Sequence, residues 1–274
     1  MIAEPRVRPR AGAPVAVTGL LALGLAPPAG AQAEPQQPPP QVVVVPNPNA
    51  PPAPTPVEHA DELLWKLTGS AYFVPHDAAM DFNVRHQLGH FGAWLGLFSD
   101  PGGDTVGRTG VEWGDRFGPA FVLPTLQVAT NGLVAGQLYS ELGGGSSYAI
   151  LGASRTNLRP FYNLSWDPNE SVQLGLGHRF DRFDKLYAFT IFDVRLHTGQ
   201  QDTHLLYRHR VGARLGVTLD TLYKSGHLDS GRYVKAVGVG FYVDGPHWLA
   251  KAYYDPYVNF SNQTMFRVAV GAKL

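Results

Sequence analysis

The chain has 274 residues, with 22 Lys plus Arg balanced against 22 Asp plus Glu, ten histidines and no cysteine. The charge balance leaves no basic footprint for nucleic acid. The lack of cysteine excludes disulfides, thiol catalysis and thiolate metal sites.

Arg6, Arg8 and Arg10 precede an apolar run from about Ala13 to Ala26, followed by Ala31-Gln32-Ala33. This is the layout of an export signal, residues 1–33, cleaved after Ala33. The run is too short, and too broken by Gly and Pro, to be a membrane-spanning helix. Loss of these residues removes three Arg and one Glu, taking the net charge from 0 to about −2. Residues 34–57, EPQQPPPQVVVVPNPNAPPAPTPV, form a Pro-rich linker that cannot enter a helix or a ladder and reads as an extended tether. Residues 58–69 carry Asp61 and Glu62 early and Leu63, Leu64 and Leu67 at helical spacing. That spacing predicts a short amphipathic helix able to cap or plug one end of the domain that follows.

From residue 70 to 274, two-faced segments of eight to twelve residues alternate with Gly, Asp, Asn and Pro clusters that read as turns. Val172, Leu174 and Leu176 oppose Gln173, Gly175 and Gly177; Leu215, Val217 and Leu219 oppose Gly216, Thr218 and Asp220; Val237, Val239 and Phe241 oppose Gly238, Gly240 and Tyr242. The final segment sets Thr264, Phe266, Val268, Val270, Ala272 and Leu274 against Met265, Arg267, Ala269, Gly271 and Lys273. Faces rich in glycine and poor in charge suit a tight barrel interior better than the solvent face of a sandwich. Trp166, Phe180, Tyr223, Tyr233, Trp248 and Tyr254 stand near segment ends, where aromatic girdles meet the two membrane interfaces. The expected fold is an all-β antiparallel transmembrane β-barrel of about 12 strands, within a range of 10 to 14.

With its signal, two-faced strands and C-terminal strand bearing Phe266, Gly271 and Leu274, the chain resembles the Gram-negative outer-membrane β-barrel proteins over residues 70–274. It departs from them in ending on Leu274, where an aromatic residue is usual. The resemblance implies residence in the bacterial outer membrane, with outer-membrane lipids and the outer-membrane assembly machinery as partners.

With the apolar faces turned outward, the pore-lining candidates are Arg85, Arg108, Glu112, Glu141, Arg179, Asp181, Asp193, Arg195, His197, Arg208, Arg210, Lys251 and Arg267. Asp81, Asp220, Lys224, Asp255 and Lys273 share those faces. Such residues can interlock as ion pairs in a closed structural barrel. They can also line a water-filled, porin-like passage for small polar or anionic solutes. The spacing supports neither a metal site nor a cofactor. His204 and His209 are five apart and point to opposite faces, while His86 and His90 stand roughly 13 Å apart along a strand.

A third reading is enzymatic. Val128-Ala129-Thr130-Asn131-Gly132, with Glu141 on the next strand, is similar to the His-x-Ser-Asn motif of outer-membrane lipid A deacylases and phospholipases. Val128 occupies the place of the essential histidine, so Thr130 has no base to take its proton. Asn131-Gly132 reads more simply as a hairpin turn.

Overall fold

A strand in hydrocarbon must give every backbone N–H and C=O to a neighbour, so a sheet there is stable only as a closed ring. This chain meets that condition. The computed structural model describes residues 64–99, 105–156, 171–194, 199–212, 214–228 and 230–274. The strands are β1 (Trp65–Val74), β2 (Asp77–Leu88), β3 (Phe91–Ser99), β4 (Thr105–Trp113), β5 (Asp115–Phe117), β6 (Ala120–Ala129), β7 (Val134–Leu142) and β8 (Ser147–Thr156). They continue as β9 (Ser171–Arg179), β10 (Lys185–Asp193), β11 (Gln201–Val211), β12 (Leu215–His227), β13 (Tyr233–Asp244), β14 (Trp248–Asp255) and β15 (Met265–Lys273). Each pairs antiparallel with its neighbours, β1 pairs with β15, and β4 and β5 both pair with β6, which shuts the ring.

β4 and β5 are two halves of one strand. Glu112 faces Thr125 and Asp115 faces Val122, so the register crosses the gap unbroken. The interruption falls opposite Pro124, which has no N–H to donate. The barrel therefore has 14 strands rather than about 12. The lower figure misses reversals as tight as Pro75-His76 between β1 and β2 and Gly89-His90 between β2 and β3. It also misses β1 itself.

The predicted signal and tether, 1–33 and 34–57, lie outside the described residues, as do residues 58–63 of the predicted helix. From Trp65 onward the expectation of a helix is corrected. Lys66 to Gly69 run in ladder with β15 on one side and β2 on the other. Trp65 and Leu67 suit the outward face of a strand as well as one stripe of a helix, and a strand gains hydrogen bonds from both neighbours. The barrel begins five residues before 70.

Burial is inverted relative to a soluble protein. Large apolar side chains are exposed around the wall, among them Phe82, Leu95, Leu97, Leu176, Val239 and Val270, whereas Asp81, Asp202, Asp220, Lys224 and Asp255 are buried. Phe180, Tyr233, Trp248 and Tyr254 are all exposed near strand ends, while Trp166 lies outside the described residues. The alternations expected around Leu174, Val217, Val239 and Val268 all fall as read, apolar outward. Among the described residues no helix is long and apolar enough to cross a membrane.

Trp65 and Leu274 exchange N–H···O bonds of 3.0 and 2.9 Å, placing the barrel's first and last strands together at one end. That end carries the tight connections 89–90, 118–119 and 245–247, and the other carries the longer connection 256–264. The end with Trp65 and Leu274 is called the inner end and the opposite one the outer end, by the convention that outer-membrane barrels keep their short turns on the periplasmic side.

Replacing Leu95, 64% exposed on the outward face of β3, with Arg is expected to lower stability in lipid bilayers by about 2–4 kcal/mol. Denaturant titration of the vesicle-inserted protein measures it, with Gln127→Arg on the inward face giving a much smaller loss.

Candidate functional site

Alternation sends the even-numbered residues of β1, β11, β12 and β13, and the odd-numbered residues of β2, β7, β9, β10, β14 and β15, to the interior. Inward glycines then decide how wide that interior is. A methyl group at Gly177 would run into the Tyr148 ring, one at Gly240 into Tyr253, and one at Gly110 into Trp94. Each aromatic ring thus lies back against a neighbouring strand where there is no Cβ to hold it off. Several rings carry a cation in turn: Arg179 lies 3.9 Å from the Tyr148 ring centre, Arg108 lies 5.8 Å from that of Trp94, and Arg267 lies 4.8 Å from that of Tyr72. Cation–π contacts of this kind contribute about 0.5–2 kcal/mol each.

Most of the expected lining residues sit on this inner face, in cross-strand pairs. Arg108 is bonded to Asp81, Arg85 to Glu112 and Arg179 to Glu141. Arg267 donates to Ser70 Oγ at 3.2 Å, and Lys251 Nζ lies 5.2 Å from the Tyr242 ring centre. Arg208 reaches Asp244 at 3.6 Å, and Arg210 stacks 3.3 Å from the Phe183 ring centre. Asp193 ends β10 on the inward face at the outer mouth, where its N–H donates to the Gln200 carbonyl. Arg195 and His197 lie outside the described residues.

Asp181 has a different place from the one expected. It stands in the β9–β10 turn, exposed, with Oδ1 accepting from the N–H groups of Phe183 and Asp184 at 2.6 and 2.7 Å. Those two donors hold its carboxyl below the usual carboxylate range. The group orders the turn instead of lining the passage.

Other interior groups emerge only from the register. Lys66 was hidden in the predicted helix, and Asp244 in a turn signal with Gly245 and Pro246. Asp202 faces Lys224 across the β11–β12 ladder. His204 points inward, with Nδ1 3.0 Å from Asp220 Oδ1, and His209 points outward, with Nδ1 2.7 Å from Asp184 Oδ2. The two histidines share no face, in keeping with their spacing. Position relative to the outward apolar residues was the available signal for Asp244 and Asp202.

At the inner end these elements surround a cavity of about 990 Å³. Lys66, Arg85, Arg208, Arg210, Arg214 and Lys273 contribute six cations, against the two carboxylates of Glu112 and Asp244. Lys273 is bonded to Asp244, which it shares with Arg208. A passage walled by low-dielectric material concentrates the field of such groups on its contents.

The motif considered for lipid hydrolysis is a hairpin. Leu133 N–H donates to Asn131 Oδ1 at 3.1 Å, Gly132 takes φ 86°, and Thr130 Oγ1 accepts from Gly107 N–H at 3.0 Å. Val128 points outward.

No protein-family model matches the chain, and no curated protein matches it in sequence. Among solved structures it is similar to the Acinetobacter baumannii outer membrane protein Omp33, with a TM-score of 0.50 and 9% identity over 78% of this chain and 99% of that one. The chain has the fold of a closed, antiparallel β-barrel. Two porins are also similar to it: KdgM, with a TM-score of 0.43 and 8% identity over 76% of this chain and 99% of that one, and NanC, with 0.44 and 12% over 77% and 100%. At 9% identity the likeness to Omp33 carries the barrel fold alone, and the chemistry has to be read from this barrel's own lumen.

Asp81→Ala would leave Arg108 buried in the barrel wall without its carboxylate. The expected loss is about 3–5 kcal/mol, read as an earlier unfolding midpoint in denaturant, with Asp81→Ala/Arg108→Met recovering most of it.

Proposed function

We propose that the barrel is a passive, porin-like channel for small polar solutes with a preference for anions. The observation that carries this reading is the inner-end cavity, where six cations face two carboxylates across about 990 Å³. A solute entering it exchanges hydration for guanidinium and ammonium contacts, weak and numerous enough to be passed on. The ion pairs elsewhere on the wall support this by fixing long side chains against the sheet. In this reading outer-membrane lipids surround the wall and the assembly machinery of that membrane inserts it. Residues 1–33 direct export and residues 34–57 remain as a tether, so the mature protein purified from outer membranes begins at Glu34, which intact-mass measurement checks.

Planar-bilayer recording tests the channel. Wild-type protein is expected to give discrete ion steps, with a zero-current potential in a KCl gradient that reports chloride preference. Arg208→Glu/Arg210→Glu brings the cavity to four charges of each sign and is expected to reduce the preference to near none. The same loss is expected in wild type as salt rises from about 0.1 M to 1 M and the screening length falls from about 10 Å to about 3 Å. A bilayer that stays sealed at every salt concentration refutes the reading.

A further inference from the structure

The connection between β14 and β15, residues 256–264, is built unlike a loop that merely joins two strands. Tyr257, Asn259 and Phe260 have φ of 53°, 52° and 54°, left-handed values that residues with a Cβ seldom adopt. The segment holds this shape because its apolar side chains are sunk into the barrel. Val258 is 2% exposed and packs with Tyr72, Ala79, Phe98 and Met265, inward residues of β1, β2, β3 and β15. Phe260 is 1% exposed and packs with Leu228 and Val234, where β12 gives way to β13. One short connection therefore touches the interior from β13 round to β3. It can do so only by crossing the outer mouth inside the wall.

One cation fastens it. Lys224 on β12 is fully buried, with Nζ 2.9 Å from Asp255 Oδ1, 3.3 Å from the Tyr257 carbonyl oxygen and 5.1 Å from the Phe260 ring centre. Asp202 lies 3.9 Å away on the opposite side, also fully buried. Asp255 is the hinge from which the connection departs, so the ammonium clamps hinge, backbone and ring together. Without it two buried carboxylates would face each other at the root of the loop, an arrangement that favours opening.

We propose that residues 256–264 form the selectivity constriction of the channel, folded into its outer mouth and latched there by Lys224. The proposal rests on the channel reading and adds that the size limit is set at the outer mouth, by the bulk of the folded-in connection that Val258 and Phe260 anchor to the wall, while the preference for anions is set at the inner cavity. Solutes meet the narrowed mouth first and the cationic cavity second.

The experiment compares wild type, Lys224→Met and Val258→Ser/Phe260→Ser in planar bilayers, using variants that keep the heat-modifiable gel mobility of a folded barrel. Both variants are expected to raise single-channel conductance at least about twofold and to admit uncharged polyethylene glycols that wild type excludes, with the chloride preference retained. The full chain has no cysteine, so further cysteine variants give clean readouts. Val258→Cys in an otherwise wild-type chain, its thiol buried, is expected to keep its current on addition of a charged methanethiosulfonate from the outer side, and Val258→Cys/Lys224→Met to lose it. Ala79→Cys/Val258→Cys, bridged by oxidation, is expected to stay at the wild-type size limit even when combined with Lys224→Met, and to open on reduction. Ion steps whose size limit is unmoved in Lys224→Met and in Val258→Ser/Phe260→Ser, and unchanged by reduction of the bridged protein carrying Lys224→Met, overturn the constriction and leave the channel standing. Absence of steps in every protein, wild type included, overturns the channel reading itself.

Discussion

Complete pairing of the backbone is the constraint from which the rest follows. Hydrocarbon supplies no hydrogen bonds, so β1 must find β15 and the β4–β5 strand must find β6. Once closed, the ring makes the outward residues of each strand apolar and leaves the inward ones to deal with water and charge. The buried carboxylates of Asp81, Asp220 and Asp255 beside exposed Leu95 and Val270 are the direct outcome. Even the interruption opposite Pro124 leaves the register intact because the strands on either side of it are held in place.

Within that ring the charged groups are distributed unevenly. Around the middle they neutralise one another in pairs such as Arg108 with Asp81, and they stack on rings that lie flat against the sheet. At the inner end cations outnumber carboxylates, and at the outer end a single lysine is enclosed by two aspartates and a folded loop. Uniform pairing would suit a filled, inert cylinder. The gradient from a clamped mouth to a cationic cavity suits passage in which size and charge are tested at different depths.

Much of this was legible in the sequence, and the exceptions have physical causes. A period of two is unambiguous where apolar residues alternate with glycine or charge, so the faces around Leu174, Val217, Val239 and Val268 could be read directly. Strand number was less legible, because a reversal as short as Pro75-His76 or Gly89-His90 leaves little room for a turn signature. Trp65 to Gly69 fitted helical and extended spacing equally well over so few residues. Cross-strand partners were beyond reach. Arg208 meets Asp244 only because β11, β12 and β13 stand side by side in one particular register. The loop at 256–264 offered one faint sign, the apolar Val258 and Phe260 among Pro256, Tyr257, Asn259, Ser261, Asn262, Gln263 and Thr264.

The glycines that seat Tyr148, Tyr253 and Trp94 make the bore adjustable independently of the wall. Restoring a single carbon at Gly177 or Gly240 would tip one ring toward the axis without changing a hydrogen bond in the ladder or a contact with lipid. Closely related barrels could thus diverge in calibre through exchanges among the smallest side chains alone, keeping the same cylinder while admitting different cargo.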